Sequence, residues 1–438
     1  MKILVVGGWQ LALVTAVGLA HRGNTVFLLP ESNNDAEQLR KGRMPVEEPG
    51  LRDLFEEHTR STRLTISDLS KFEDWDFDVV WFAIDTPVDD KDRANTQCVM
   101  NFQLEVLLRL SSSTTVICSS QLPVGSTRAL LQAAQKQGCH INNYVVIPEN
   151  LRLGLGLESF LNPDRLVVGI DHEETKIKVL PLLTQLTDKL FFMNIESAEM
   201  VKHALNSFLG LSIVFANEVA GICERFGADA HDVFGAVRAD SRVGPRAYLR
   251  PGQAFSGGTL ARDLVYLSAF QRETNVVNDL FGEIVRLNQA HSEWTLQILR
   301  AELGSLKGRR VLVAGLTYKT GTNTLRRSGM QETISTMSNE KAIIYALVED
   351  SQQIDTSSIP GVMSVAPESL FGISVDAIVI GLSASKSLDL LNAFAKKCPE
   401  NILIVDPNAL LRDQKGLDHA RIKSVGIKSL ARLASDDE

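Results

Sequence analysis

The densest chemistry in this 438-residue chain lies in residues 251–263, PGQAFSGGTLARD. Gly252, Gly257 and Gly258 present backbone without Cβ atoms, so amide N–H groups can close on a phosphate. A helix is expected to start at about residues 260–263. There the carboxylate of Asp263 gains a few tenths to about 1 kcal/mol from the helix dipole. Lys202 and Asn206 are four apart in a helical stretch and share a face. Read alone, they are a solvated lysine and a surface or capping asparagine. The third feature is Gly7-Gly8-Trp9-Gln10-Leu11-Ala12, a glycine turn after an apolar run.

The elements that must position these residues follow from hydrophobic periodicity. Residues 2–7 read as a strand, 11–21 as a helix and 25–29 as a second strand. That order opens a doubly wound nucleotide-binding sheet. Further strands are expected at 78–84, 115–119, 144–147 and 166–169, alternating with helices. From about residue 197 a long helical pattern places Met200, Ala204, Leu205, Phe208 and Leu211 on one side. A second helical stretch is expected over 276–303. A second α/β unit begins near Lys307-Gly308, with strands at 310–314, 341–348, 376–380 and 402–405. The fold class is α/β: two Rossmann-like doubly wound domains joined by a helical central region. The divisions expected are 1–195, 196–303 and 304–438, the middle one offering a dimer surface.

Composition narrows the function. The chain is 44% hydrophobic and 22% charged, with a formal net charge of −8. An acidic chain without a basic run argues against nucleic acid as a partner. Five scattered cysteines without a CxxC pair read as reduced thiols of a cytoplasmic protein, and no metal-ligand spacing appears. Gly7-Gly8 interrupts the first apolar run, so it is not read as a signal peptide. No run approaches eighteen uninterrupted apolar residues, so no membrane span is expected. The acidic end, residues 435–438, is expected to be disordered.

Several segments, in one order, resemble the UDP-glucose/GDP-mannose dehydrogenase family. Residues 42–51, GRMPVEEPGL, are similar to its G-x-x-P-x-x-E-P-G-L. Thr86-Pro87 resembles V-x-T-P, and Pro123-Val124-Gly125 resembles P-V-G-T. Pro148-Glu149, Leu151-Arg152 and residues 162–165, NPDR, resemble N-P-E-F-L-x-E-G and N-P-D-R. Glu199, Lys202, Asn206, Asn217 and Glu218 fall on E-x-x-K-x-x-x-N and N-E. Asp240, Arg242 and Gly244 fall on D-x-R-I-G, residues 315–319, GLTYK, on G-L-A-F-K, and Arg326 on the Arg of D-D-x-R. The glycine loop resembles G-x-G-F-G-G-S-C-F-x-K-D.

The resemblance implies oxidation of a nucleotide-sugar alcohol with NAD as hydride acceptor. It gives catalytic roles to Lys202, Asn206, Asp263, Glu149 and the position of Thr259. It places the cofactor against Gly7, Trp9, Ala12, Glu31, Thr86, Pro87, Gln121 and Arg326. The nucleotide sugar falls against Leu151, Arg242, Phe255, Gly257 and Lys319, with Arg242 reaching across a homodimer. This chain departs from the pattern at six positions. Thr259 replaces the family's nucleophilic Cys, Leu153 its second Glu and Gln121 its Thr. Trp9 stands at the second dinucleotide glycine and Pro30 at the ribose-binding acid, with Glu31 one residue on. Asn408 replaces an Arg. A threonine hydroxyl is scarcely ionised where a thiol, reference pKa about 8.5, supplies thiolate. The expected activity is therefore one two-electron oxidation. The alternatives are a non-catalytic binding or scaffolding relative, and a cysteine-independent four-electron oxidation.

Overall fold

The computed structural model describes residues 1–46, 48–69, 76–87, 94–149, 151, 154–256, 258–274, 278–317, 328–348 and 361–427. Gly257, Lys319 and Arg326 lie outside the described residues, as do Leu153 and the acidic end. The chain divides into two compact units, Met1–Leu205 and Asn206–Glu438.

The first unit carries an eight-stranded sheet: β1 (Lys2–Val6), β2 (Thr25–Leu29), β3 (Leu64–Ile66), β4 (Val79–Phe82), β5 (Thr115–Cys118), β6 (Asn143–Val146), β7 (Leu166–Gly169) and β8 (Leu190–Met193). Its order is β3-β2-β1-β4-β5-β6-β7-β8, parallel throughout except between β6 and β7. The strand order reverses between β1 and β4, and ligands of such sheets bind at the carboxyl ends of the strands at that point. The helix Gln10–His21 buries ten of its twelve residues. A helix apolar all round belongs inside the fold, which is why its sequence shows so little polar face. The turn feeding it needs glycine. Gly7 has φ +139°, and a Cβ there would stand 2.5 Å from the Ala83 carbonyl oxygen.

Two family-like segments turn out to be long-range helix caps. The Glu48 carboxylate accepts from Gly154 N–H (2.8 Å) and Gly156 N–H (3.0 Å) at the start of the helix Gly156–Leu161, and from the Gln10 amide. The Glu199 carboxylate accepts from Gly125 N–H (2.7 Å) and Thr127 N–H (3.1 Å) at the start of the helix Ser126–Lys136. Gly125 precedes that helix in the left-handed region and has no side chain to cap it, so a distant carboxylate satisfies the orphan amides.

The second unit carries β9 (Arg310–Ala314), β10 (Ile343–Leu347), β11 (Val362–Val365), β12 (Ala377–Ile380), β13 (Leu403–Val405) and β14 (Arg421–Lys423). Their order, β11-β10-β9-β12-β13-β14, repeats the doubly wound pattern with every pair parallel. The sequence patterns find the central strands and miss β3, β8, β11 and β14. These are edge or near-edge strands of three or four residues. The helical stretch expected over 276–303 is two helices, Leu280–Ser292 and Trp294–Leu303.

The helix Ile195–Phe226 starts two residues before the sequence pattern suggests. It is long and apolar enough, by length and composition, to cross a bilayer, which uninterrupted runs alone did not reveal. Seven of its polar residues nevertheless face inward: Glu199, Lys202, His203, Asn206, Ser207, Ser212 and Asn217 are buried, while Ser197, Glu218 and Arg225 are exposed. Its outward residues include Met200, Phe208, Leu211, Phe215, Ile222 and Phe226. The apolar side picked out by periodicity is thus the exposed one.

Candidate active site

In the first unit the inward side of this helix meets Glu149. The Lys202 ammonium lies 3.5 Å from Glu149 Oε2, with the two side chains only 10% and 17% exposed. Burying an ammonium is unfavourable unless it is paired, so Glu149 makes the lysine's position tenable. One turn on, Asn206 donates its side-chain amide to Asp263, whose carboxylate is fully buried in the second unit. The helix Gly258–Glu273 starts earlier than the 260–263 expected, so Asp263 lies in its second turn and the first turn carries no acidic residue. The dipole gain expected for Asp263 is confined to the first turn and does not reach it. The four inherited polar residues are therefore held as two pairs. Thr259, at the start of the same helix, is exposed.

Ser120, Gln121, Glu149, Glu199, Lys202 and His203 line a cavity of about 30 Å³ in the first unit. That is room for a water molecule or two among polar partners. His203 is buried and donates Nε2–H to the Leu122 carbonyl at 3.0 Å, since a carbonyl oxygen can only accept. Sequence reasoning left His203 out because nothing marks one buried histidine on a helix. Cys118 borders the same cavity. Burial pushes its thiol up, so it stays protonated and does not substitute for the missing thiolate.

At the cofactor end, Ala12 is fully buried and its Cβ lies 2.8 Å from the place of a Cβ on Gly7. The third motif position thus serves close strand–helix packing. Trp9 has extended backbone (φ −113°) and needs no glycine there. Its indole, 48% exposed, borders a cleft of about 590 Å³ together with Gly8, Glu31, Arg43, Pro87 and Phe102, a size suited to a small ligand. Glu31, beyond the end of β2, lies against the turn, and a Cβ on Gly8 would stand 2.9 Å from its Oε2. Desolvation against the turn pushes its carboxyl up although its outer edge meets solvent, and Asp35 adds to the rise. Leu11 N–H, in the first helical turn, donates to Asp85 Oδ2 at 3.2 Å. Asp85 was not among the residues expected from sequence. Thr86 is buried and donates its hydroxyl to the Gln121 carbonyl at 2.6 Å. Leu151 is half-buried against the apolar core of the sheet.

The NAD-type contacts therefore fit in part. The cleft and Glu31 suit an adenosine ribose, whereas the Leu11 amide, one of those that would meet the pyrophosphate, already donates to Asp85.

In the second unit the described part of the glycine loop is fixed by neutral side chains. Gly252 N–H donates to Asn217 Oδ1 at 2.9 Å, and the Gly252 carbonyl accepts from His291 Nε2 at 2.8 Å. Phe255 exchanges two 2.9 Å hydrogen bonds with the Asn288 amide. Its ring packs with Val214, Leu264 and Ile284, so it is held by the apolar cluster rather than presented outward. Gln253 and Asn408 form a reciprocal clasp: Gln253 N–H donates to Asn408 Oδ1 and Asn408 Nδ2 to Gln253 Oε1, each at 3.1 Å. Asn408, where the resemblance expects a guanidinium, is a structural tie to the loop. Arg242 is 87% exposed and paired with its neighbour Asp240 at 2.7 Å.

The sequence profile of the UDP-glucose/GDP-mannose dehydrogenase family, NAD binding domain, matches residues 1–187, and that of the family's central domain matches residues 196–290. UDP-glucose 6-dehydrogenase TuaD of Bacillus subtilis is 30% identical over 327 residues, 74% of this chain and 71% of the relative. UDP-glucose 6-dehydrogenase of Rhizobium meliloti is 26% identical over 437 residues, 97% of this chain and 99% of the relative. The solved UDP-glucose dehydrogenase of Pyrobaculum islandicum matches with a TM-score of 0.82 at 25% identity, covering 98% of both chains.

Proposed function

Because the chain belongs to the UDP-glucose/GDP-mannose dehydrogenase family, we propose that it is a divergent NAD-dependent dehydrogenase that oxidises a CH–OH group of a nucleotide sugar by two electrons and stops there. The observation that carries this reading is the inward polar side of the helix Ile195–Phe226. In the first unit Lys202 is held 3.5 Å from Glu149, and in the second Asn206 is bonded to Asp263. Buried charged groups are unfavourable unless paired, and each of these pairs keeps its charged member tenable. The Glu149 carboxylate takes the alcohol proton as the C–O bond shortens. The Lys202 ammonium stabilises the developing alkoxide in a poorly hydrated place. Asn206 and Asp263 fix each other one turn further along. NAD, when bound, supplies the hydride acceptor.

A second oxidation by the thioester route needs the aldehyde held on sulfur. Thr259 offers a hydroxyl, and Cys118 is buried and protonated. The test is stoichiometry. With UDP-glucose as the first substrate tried, after the relatives' names, one NADH is expected per sugar nucleotide consumed. Thr259→Ala should turn over within threefold of the parent. Two NADH per sugar would sink the two-electron reading. Binding of sugar nucleotide without any NADH would favour a non-catalytic relative, the reading to which the capped amide at Leu11 lends support.

The outward apolar residues Phe208, Leu211, Phe215, Ile222 and Phe226 recur at helical spacing. We read this face as a homodimer interface, with the inward polar residues left to the site. Phe208→Glu with Phe226→Glu should convert a dimer into a monomer in sedimentation velocity at micromolar concentration. A doubly substituted chain that still sediments as a dimer places the interface elsewhere.

A further inference from the structure

In a strand–turn–helix of this kind, the amides at the turn and in the first helical turn are the donors offered to a dinucleotide pyrophosphate. Here one of them already serves a side chain: Leu11 N–H donates to Asp85 Oδ2 at 3.2 Å. Asp85 follows β4, the strand beside β1 where the strand order reverses. Its carboxylate is thus brought to the helix start by the sheet itself. Asp35 also borders the cleft, and Arg43 is the cation on the same wall. A pyrophosphate arriving at the turn meets an occupied donor at Leu11 and like charge, and both disfavour it.

Resting on the dehydrogenase reading above, we propose that Asp85 is a built-in competitor for the cofactor phosphates: it holds the Leu11 amide and must withdraw before NAD seats, so it sets cofactor affinity without touching the reacting atoms. Asp85 is a positioning residue, and its removal should strengthen binding. That is the opposite of what loss of a merely structural helix cap does.

The test is calorimetric titration of the full chain and its Asp85→Ala variant with NAD⁺ and with adenosine, which has no phosphate. The expected result is a Kd for NAD⁺ at least tenfold lower in Asp85→Ala, with the Kd for adenosine unchanged within twofold. Should the alanine variant not fold, Asp85→Asn keeps the cap's shape without its charge, and NAD⁺ should tighten while adenosine does not. The proposal is overturned if NAD⁺ binds no more tightly to the folded variant, or if adenosine tightens equally. Unchanged NAD⁺ binding in parent and variant leaves the dehydrogenase reading intact. Absence of binding by either ligand at millimolar concentration, in all variants, removes both.

Discussion

Lys202→Met is expected to lower kcat for nucleotide-sugar oxidation at least a hundredfold and to leave KM within threefold. Removing one preorganised donor to a developing oxyanion typically loses about 10²–10³ in rate, and Lys202 is the cation of the buried polar side. The substitution keeps the volume of the side chain, so packing along the helix is disturbed little. It does leave the Glu149 carboxylate, 17% exposed, without its ammonium 3.5 Å away, and an unpaired carboxylate there lowers stability. Combining Lys202→Met with Glu149→Gln separates the effects: the double variant should recover melting temperature and not turnover. Lys202→Arg should rescue poorly, because a planar fork does not replace a compact point charge. A Lys202→Met enzyme turning over within threefold of the parent would remove Lys202 from the site.

The second large effect is on stability and its dependence on pH. Asp406, just beyond β13, is fully buried and accepts from Leu411 N–H at 2.7 Å. Burial raises its pKa from 3.8 to about 6, against the backbone donors that lower it. Between those two values the folded chain keeps a proton that the unfolded chain has released. The folded state is therefore favoured fully at low pH, and the advantage is lost as pH rises through about 6. Above pH 7 the ionised, desolvated carboxylate works against folding by about 3 kcal/mol. Asp406→Asn, which cannot ionise, should be more stable than the parent by up to about that amount at pH 7.5, with the difference vanishing below about pH 3. Urea unfolding at a series of pH values gives this difference directly. The difference is the quantity to follow, since burial lowers the pKa of His58, His231 and His291. Those histidines withdraw stability as pH falls below their ordinary range, in parent and variant alike. A difference that does not vary with pH would show that Asp406 does not titrate in this window.

Much of the framework is legible in the chain. Central strands announce themselves as short β-branched runs, and glycine at position 7 follows from the approach of Ala83. The short strands β3, β8, β11 and β14 escape because three or four residues at a sheet margin carry too little pattern. Lys202, Asn206, Glu149 and Asp263 are found through resemblance, and the structure groups them as two pairs without testing their roles. Asp85 and the capping work of Glu48 and Glu199 are invisible for another reason. Each acts on an amide 72 or more residues away, and no local spacing encodes such a partner. The helix Ile195–Phe226 misleads in a third way. Periodicity finds an apolar side correctly but does not say whether it faces the protomer's own core or the outside.

The clasp between Gln253 and Asn408 joins positions 155 residues apart through two neutral dipoles that satisfy one another. Replacing Gln253 keeps its backbone N–H on Asn408 Oδ1 and frees only Asn408 Nδ2, whereas replacing Asn408 removes the acceptor of that N–H and leaves Gln253 Oε1 with the Leu382 N–H at 3.3 Å. The tie is therefore lopsided: a guanidinium at 408, which can only donate, would leave the Gln253 N–H without this acceptor.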